Sequence, residues 1–183
     1  MSFADKVSIL RILLRPAFVY FLIIYSRFGR MYLRYVAVGV FILAILTDFF
    51  DGLVARIKKE KSEIGKVIDP LADKLLLITA FITLYFLKFD IPWWVVLIVV
   101  SRDLIIFLGV VILHFLKIEV PISPSTWGKL TTFFQMFTIL SILMNFFFSP
   151  LVWAVAVIFT FISGIDYFSR GVKAINAHNL SRS

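Results

Sequence analysis

The sequence predicts an all-α, polytopic membrane protein with six transmembrane helices, an N-terminal amphipathic lead-in and both termini in the cytoplasm. Three observations carry that expectation. Hydrophobic residues fill 61% of the 183 positions and charged ones only 16%, with 21 phenylalanines and a mean hydropathy of +1.00, whereas soluble domains carry about 25% charged residues. The apolar residues gather into runs of about 20, enough for a helix to cross hydrocarbon. Basic residues crowd into alternate connecting segments, the bias that orients membrane chains.

The elements follow in order. The opening MSFADKVSILRILLRPAFVYFL sets Lys6, Arg11 and Arg15 among apolar residues. No small-residue cleavage site follows it, so it reads as a retained lead-in to a first span over about 9–26. Arg27-Phe28-Gly29-Arg30 breaks the chain before a second span over about 33–55. The charged run Lys58 to Lys66 precedes a third over about 70–88, whose first turn suits Pro70. Lys88-Phe89-Asp90-Ile91-Pro92 leads into a fourth over about 92–115, and Glu119 to Ser125, with two prolines, into a fifth over about 129–148. Ser149-Pro150 starts the sixth, over about 150–170. With the N-terminus inside, Lys6, Arg56, Lys58, Lys59, Lys61, Lys66, Lys117, Lys173 and Arg182 face the cytoplasm, against Arg27, Arg30, Lys88 and the marginal Arg34. Trp93, Trp94 and Trp153 near helix ends fit an interfacial belt. No linker or repeat divides residues 1–183, which read as one domain.

Composition also excludes. The chain has no cysteine, hence no disulfide framework and no thiolate metal site. A net charge of +8 would suggest nucleic acid on a soluble chain; on a membrane chain it suits anionic head groups, so no nucleic acid partner is expected.

One stretch resists the apolar pattern: TDFFDGLVARIKKEKSEIGKVIDPLADK, Thr47 to Lys74. A carboxylate in hydrocarbon costs roughly 2.5–3.5 kcal/mol on insertion scales, yet Asp48, Asp51, Asp69 and Asp73 sit at the junctions of apolar segments. Asp48 and Asp51 are spaced i,i+3 and Asp69 and Asp73 i,i+4, so each pair shares one helix face. The first pair closes the second span and the second opens the third, which brings all four to one depth near the cytoplasmic boundary. One or two divalent cations would relieve their repulsion, and hard carboxylate oxygens suit Mg²⁺, Mn²⁺ or Ca²⁺. Gly52, beside Asp51, and Gly65, in the predicted loop, permit close approach to the backbone, and Ala55 extends the small-residue face. Arg56 offers a fixed charge suited to phosphate oxygens. Two other readings stay open: a solvated cluster in which the aspartates pair with Lys58, Lys59, Lys61 and Lys66, and a divalent-cation transporter. The transporter would want its carboxylates near the midplane, without an arginine beside them.

The pattern Asp48-x2-Asp51-Gly52-x2-Ala55-Arg56-x8-Gly65-x3-Asp69-x3-Asp73 resembles the signature of the CDP-alcohol phosphatidyltransferases, integral membrane enzymes that move a phosphatidyl or related group from a CDP-linked donor to an alcohol and release CMP. Every fixed position is filled. The resemblance implies two divalent cations, Mg²⁺ or Mn²⁺, held by Asp48, Asp51, Asp69 and Asp73, with Asp73 also the general base toward the acceptor hydroxyl. It implies that Gly52 and Ala55 line the cytidine pocket with Gly65 nearby, that Arg56 holds the donor pyrophosphate, and that the enzyme is a homodimer in the inner (cytoplasmic) membrane with its site facing the cytoplasm. Thr47 either contacts the nucleotide or caps back onto its own helix.

Asp69-Pro70-Leu71-Ala72-Asp73-Lys74, Gly128-Lys129-x-Thr131-x3-Gln135 and Ser163-Gly164-x-Asp166-Tyr167 are similar to the bacterial phosphatidylglycerophosphate synthases of that family. This implies CDP-diacylglycerol as donor and sn-glycerol 3-phosphate as acceptor. A phosphorylated acceptor needs cations, and Arg102, Lys129 and Lys74 are the candidates. Their alternatives are an Arg102–Asp103 or Arg102–Asp166 structural pair and a Lys129 that snorkels to the interface. Ser101-Arg102-Asp103 stands where those synthases commonly show Arg-Glu, and Asp5-Lys6-Val7-Ser8 departs from their Asn-Pro-like start. The former resembles the eukaryotic-type cardiolipin synthases, which accept phosphatidylglycerol. Gln135 and Asn145 are expected to hydrogen-bond between helices, His114 to pack rather than ligate, and His178 to lie in a polar tail. Arg11 and Arg15 serve either donor phosphates or anionic-lipid anchoring.

Overall fold

A computed structural model describes residues 3–58, 63–115 and 125–180. Its helices are α1 (Phe3–Phe28), α2 (Met31–Lys58), α3 (Glu63–Phe86), α4 (Trp93–Phe115), α5 (Thr126–Leu143) and α6 (Ser149–Leu180), and no strand occurs among the described residues. The all-α expectation therefore holds. Two stretches, Trp93–Leu113 and Ser149–Lys173, are long and apolar enough to cross a membrane. Less than a third of either is buried within the chain, unlike the core helix of a soluble protein. Their exposed side chains, such as Ile105, Ile158, Ile165 and Phe168, suit contact with lipid tails.

Helix ends depart from the predicted spans because apolarity marks where hydrocarbon ends, not where a helix does. The amphipathic lead-in is not a separate element: α1 runs unbroken from Phe3 with Pro16 inside it, and membrane helices tolerate such a proline. Expected loop residues between the second and third spans are helical too. Arg56 lies within α2, and Gly65 and Pro70 lie within α3, Pro70 beyond its first turn, since Glu and Lys propagate a helix as readily as Leu. In contrast, α5 stops at Leu143, short of the predicted 148. Asn145 adopts φ 56, and the Phe146 N–H reaches the Ser141 carbonyl at 3.0 Å, a left-handed helix end. Asn145 is thus an exposed turn residue and not a bridge between helices.

The chain forms two compact units, Met1–Asp90 and Ile91–Ser183. In the first, α1 packs on α2 and on α3. Phe18 and Phe41 meet with ring centroids 5.3 Å apart, and fully buried Ala37, Ala44 and Ala80 permit close helix approach. Arg34, 9% exposed, is caged at the α1–α2 end. Its guanidinium lies 5.5 Å from the centroids of both Tyr25 and Phe89 and donates to the Tyr25 hydroxyl at 3.3 Å.

In the second unit α6 packs on both α4 and α5. Trp94 meets Trp153 edge-on at 5.2 Å, and Phe134 stacks on Phe159 at 4.7 Å. Buried hydroxyls return to backbone carbonyls, as an apolar surrounding demands: Thr131 shares its one hydroxyl proton between the carbonyls of Trp127 at 2.8 Å and Phe159 at 2.9 Å, Thr138 donates to Phe134 at 2.8 Å and Thr160 to Ala156 at 2.7 Å.

Candidate functional site

All four aspartates lie on helices of the first unit, Asp48 and Asp51 on α2 and Asp69 and Asp73 on α3. The side chains of these residues, and of Gly52, Ala55, Arg56 and Gly65, fall outside the described ones, as do those of Arg11, His114 and His178. Their register positions follow from the helices that carry them. On α2 the buried residues Ala37, Phe41 and Ala44 continue at 3.6-residue steps through 48, 51 and 55. On α3 the buried Leu84, Ala80 and Leu77 continue backwards through 73, 69 and 66. Among the described residues no three metal-capable side chains gather. A donor set of four carboxylates fits Mg²⁺ or Mn²⁺ by its chemistry.

Three neighbours are described. Thr47 donates its hydroxyl to the Leu43 carbonyl at 2.7 Å, the cap-back alternative, which leaves only its oxygen lone pairs for a nucleotide. Lys74 is half-buried on α3. Arg15 lies on the α1 face that carries Phe18 and Leu22, and its Nε and Nη2 are buried with no hydrogen-bond partner. A head-group anchor would leave those nitrogens in water.

In the second unit, α4, α5 and α6 assemble around Arg102. This arginine is 7% exposed and its neighbour Asp103 4%. Arg102 Nη1 donates to Asp103 Oδ1 at 2.6 Å, and Nη2 donates to Ser163 Oγ. The guanidinium lies 5.6 Å from the Tyr167 ring centroid, and Nε has no partner. Gly128 makes room: a Cβ there would stand 3.3 Å from Tyr167 Cε2 and 3.7 Å from Arg102 Nη2. Ser125 caps α5, its Oγ accepting from the Gly128 N–H at 3.1 Å, and Lys129 is exposed on the first turn.

Of the two structural pairs considered for Arg102, the one with Asp103 forms. Asp166 instead binds Arg170, at 3.2 Å through Oδ1 and 3.1 Å through Oδ2. Gln135 makes no bond between helices. It is fully buried, with both amide atoms unpartnered. Sequence reasoning missed Ser163 and Tyr167 as partners of Arg102. Their i,i+4 spacing, which puts a hydroxyl and an aromatic ring on one face of α6, was the available signal.

Comparison with known proteins gives this arrangement a family. Residues 1–162 match the model of the CDP-alcohol phosphatidyltransferase family. The chain is 35% identical to a probable phosphatidylglycerophosphate synthase of Mycobacterium tuberculosis, over 95% of this chain and 83% of that protein. It is 32% identical to a CDP-diacylglycerol–glycerol-3-phosphate 3-phosphatidyltransferase of Bacillus subtilis, over 96% of this chain and 97% of that one. A protein of the same name from Rickettsia bellii is 34% identical, over 92% and 94%.

Proposed function

Because the chain belongs to the CDP-alcohol phosphatidyltransferases, we propose that it transfers the phosphatidyl group of CDP-diacylglycerol to sn-glycerol 3-phosphate, giving phosphatidylglycerophosphate and CMP. The observation that carries the choice of acceptor is the near end-to-end similarity to proteins named for that reaction, at 96% of this chain and 97% of the Bacillus subtilis relative. A single family model crosses the junction of the two units, which supports one catalytic domain over residues 1–183. Spanning by all six helices with both termini cytoplasmic, in the inner membrane, accords with the loop charges. Homodimer formation is part of the proposal.

Asp48, Asp51, Asp69 and Asp73 would hold two divalent cations, Mg²⁺ or Mn²⁺, which supply charge at the attacking and leaving oxygens of an in-line displacement. Asp73 takes the proton of the acceptor hydroxyl. That oxygen forms a bond to the phosphatidyl phosphorus, and the bond to the CMP oxygen breaks, CMP leaving with the electron pair. Gly52, Ala55 and Gly65 leave room for the cytidine, Thr47 offers its oxygen, and Arg56 and Arg15 neutralise the pyrophosphate. Arg102, Lys129 and Lys74 hold the acceptor phosphate, where a guanidinium fork matches phosphate oxygens.

The test is CMP release by purified protein with CDP-diacylglycerol and Mg²⁺, offered glycerol 3-phosphate, phosphatidylglycerol, inositol phosphate or serine. Release with glycerol 3-phosphate alone is expected. Release with phosphatidylglycerol alone would make the chain a cardiolipin synthase, the reading that Ser101-Arg102-Asp103 favours. No release with any acceptor, together with cation flux into proteoliposomes, would replace the enzyme by a transporter.

A further inference from the structure

We infer that Ser163 and Tyr167 of α6 are positioning residues for Arg102, turning its guanidinium so that the unpartnered Nε edge is the one left to receive the acceptor phosphate. The inference rests on the assignment of Arg102 to that phosphate. Arg102 and Asp103 are adjacent on one helix, where neighbouring side chains diverge, so their 2.6 Å bond alone fixes neither the plane nor the rotation of the guanidinium. The other constraints come from α6. Ser163 Oγ accepts from Nη2, and the Tyr167 ring lies 5.6 Å from the guanidinium carbon, within cation–π range. Three contacts from two helices define an orientation. In it each terminal nitrogen is engaged through one N–H, and Nε is the nitrogen that is buried with no partner at all.

An unpartnered buried donor on a permanent cation is destabilising unless an acceptor arrives. A phosphate oxygen supplies one, with opposite charge. Gly128 belongs to the same device. A Cβ there would press on the Tyr167 ring at 3.3 Å and its hydroxyl at 3.4 Å, displacing the surface against which Arg102 is held.

Steady-state kinetics on the full-length protein in CDP-diacylglycerol mixed micelles separates positioning from general structure. Ser163→Ala and Tyr167→Leu are each expected to raise KM for glycerol 3-phosphate about tenfold, the size of one lost contact to a charged group, with KM for CDP-diacylglycerol unchanged. Ser163→Thr and Tyr167→Phe keep the hydroxyl and the ring face and should restore the wild-type KM. Should Ser163→Ala fail to fold, the Tyr167→Leu and Tyr167→Phe pair carries the same comparison. Arg102→Gln is run alongside. If it leaves KM for glycerol 3-phosphate unchanged, the acceptor assignment falls, and the positioning role with it. If it raises that KM while Ser163→Ala and Tyr167→Leu do not, or if those two raise both KM values equally, positioning alone is overturned.

Discussion

Arg15 in the first unit and Arg102 in the second are held in different ways. In Met1–Asp90, Arg15 presents two buried nitrogens with no partner, on a helix face that leads toward the level of the aspartates. In Ile91–Ser183, Arg102 is gripped by Asp103, Ser163 and Tyr167, and its Nε donor has no partner. On the proposed assignments, Arg15 to the donor pyrophosphate and Arg102 to the acceptor phosphate, the difference follows from what each cation must do. A pyrophosphate that brings its own metal ions meets several positive groups, and a loosely held arginine can follow it. A small acceptor phosphate has few contacts to orient it, so the cation must be set in advance, which lowers the entropy lost on binding. Arg34 supplies the contrast within the first unit. Its cage of Tyr25 and Phe89 is a structural use of a buried guanidinium.

The largest effect should fall on the aspartates, to which the proposal gives a part in binding both substrates. Asp73→Asn and Asp51→Ala are expected to lower CMP release by about a thousandfold or more, and chelation with EDTA should do the same until Mg²⁺ or Mn²⁺ is restored. Retained activity in Asp51→Ala would sink the account of the first unit. Next, Arg102→Gln should raise KM for glycerol 3-phosphate about a hundredfold, by loss of charge-assisted hydrogen bonds, and leave KM for CDP-diacylglycerol alone. Arg15→Gln should show the reverse selectivity at about tenfold; if both variants moved the same constant, the division between the units would be wrong. Arg34→Leu should leave both constants unchanged and cost about 1–2 kcal/mol of stability through the lost cage, read as a lower Tm in detergent. Smallest of all, Gln135→Leu should be neutral or slightly stabilising in the same melt, because it removes a buried amide without partners.

What the sequence disclosed differs between the same two regions. In the first unit the chemistry is written along one continuous stretch, Asp48 to Asp73, and helical spacing alone puts each acidic pair on a single face. Helix ends were not legible there. Gly65 and Pro70 looked like loop and first turn because charge and proline interrupt the apolar run, yet both are inside α3. In the second unit Arg102 and the residues that meet around it, namely Gly128, Ser163 and Tyr167, are spread over three helices. Charge singled out Arg102, but which of Asp103 and Asp166 would answer it depended on how α4 and α6 pack. Likewise the apolar run Phe146 to Phe148 concealed the end of α5, which Asn145 marks by its left-handed backbone.

The most direct single measurement is transfer of label from radiolabelled glycerol 3-phosphate into the lipid extract of proteoliposomes that contain the purified chain, CDP-diacylglycerol and Mg²⁺. The account predicts label in a lipid that chromatographs as phosphatidylglycerophosphate, in amounts equal to the CMP released. CMP release with no label in lipid would contradict it, because the phosphatidyl group would then have gone to a different acceptor.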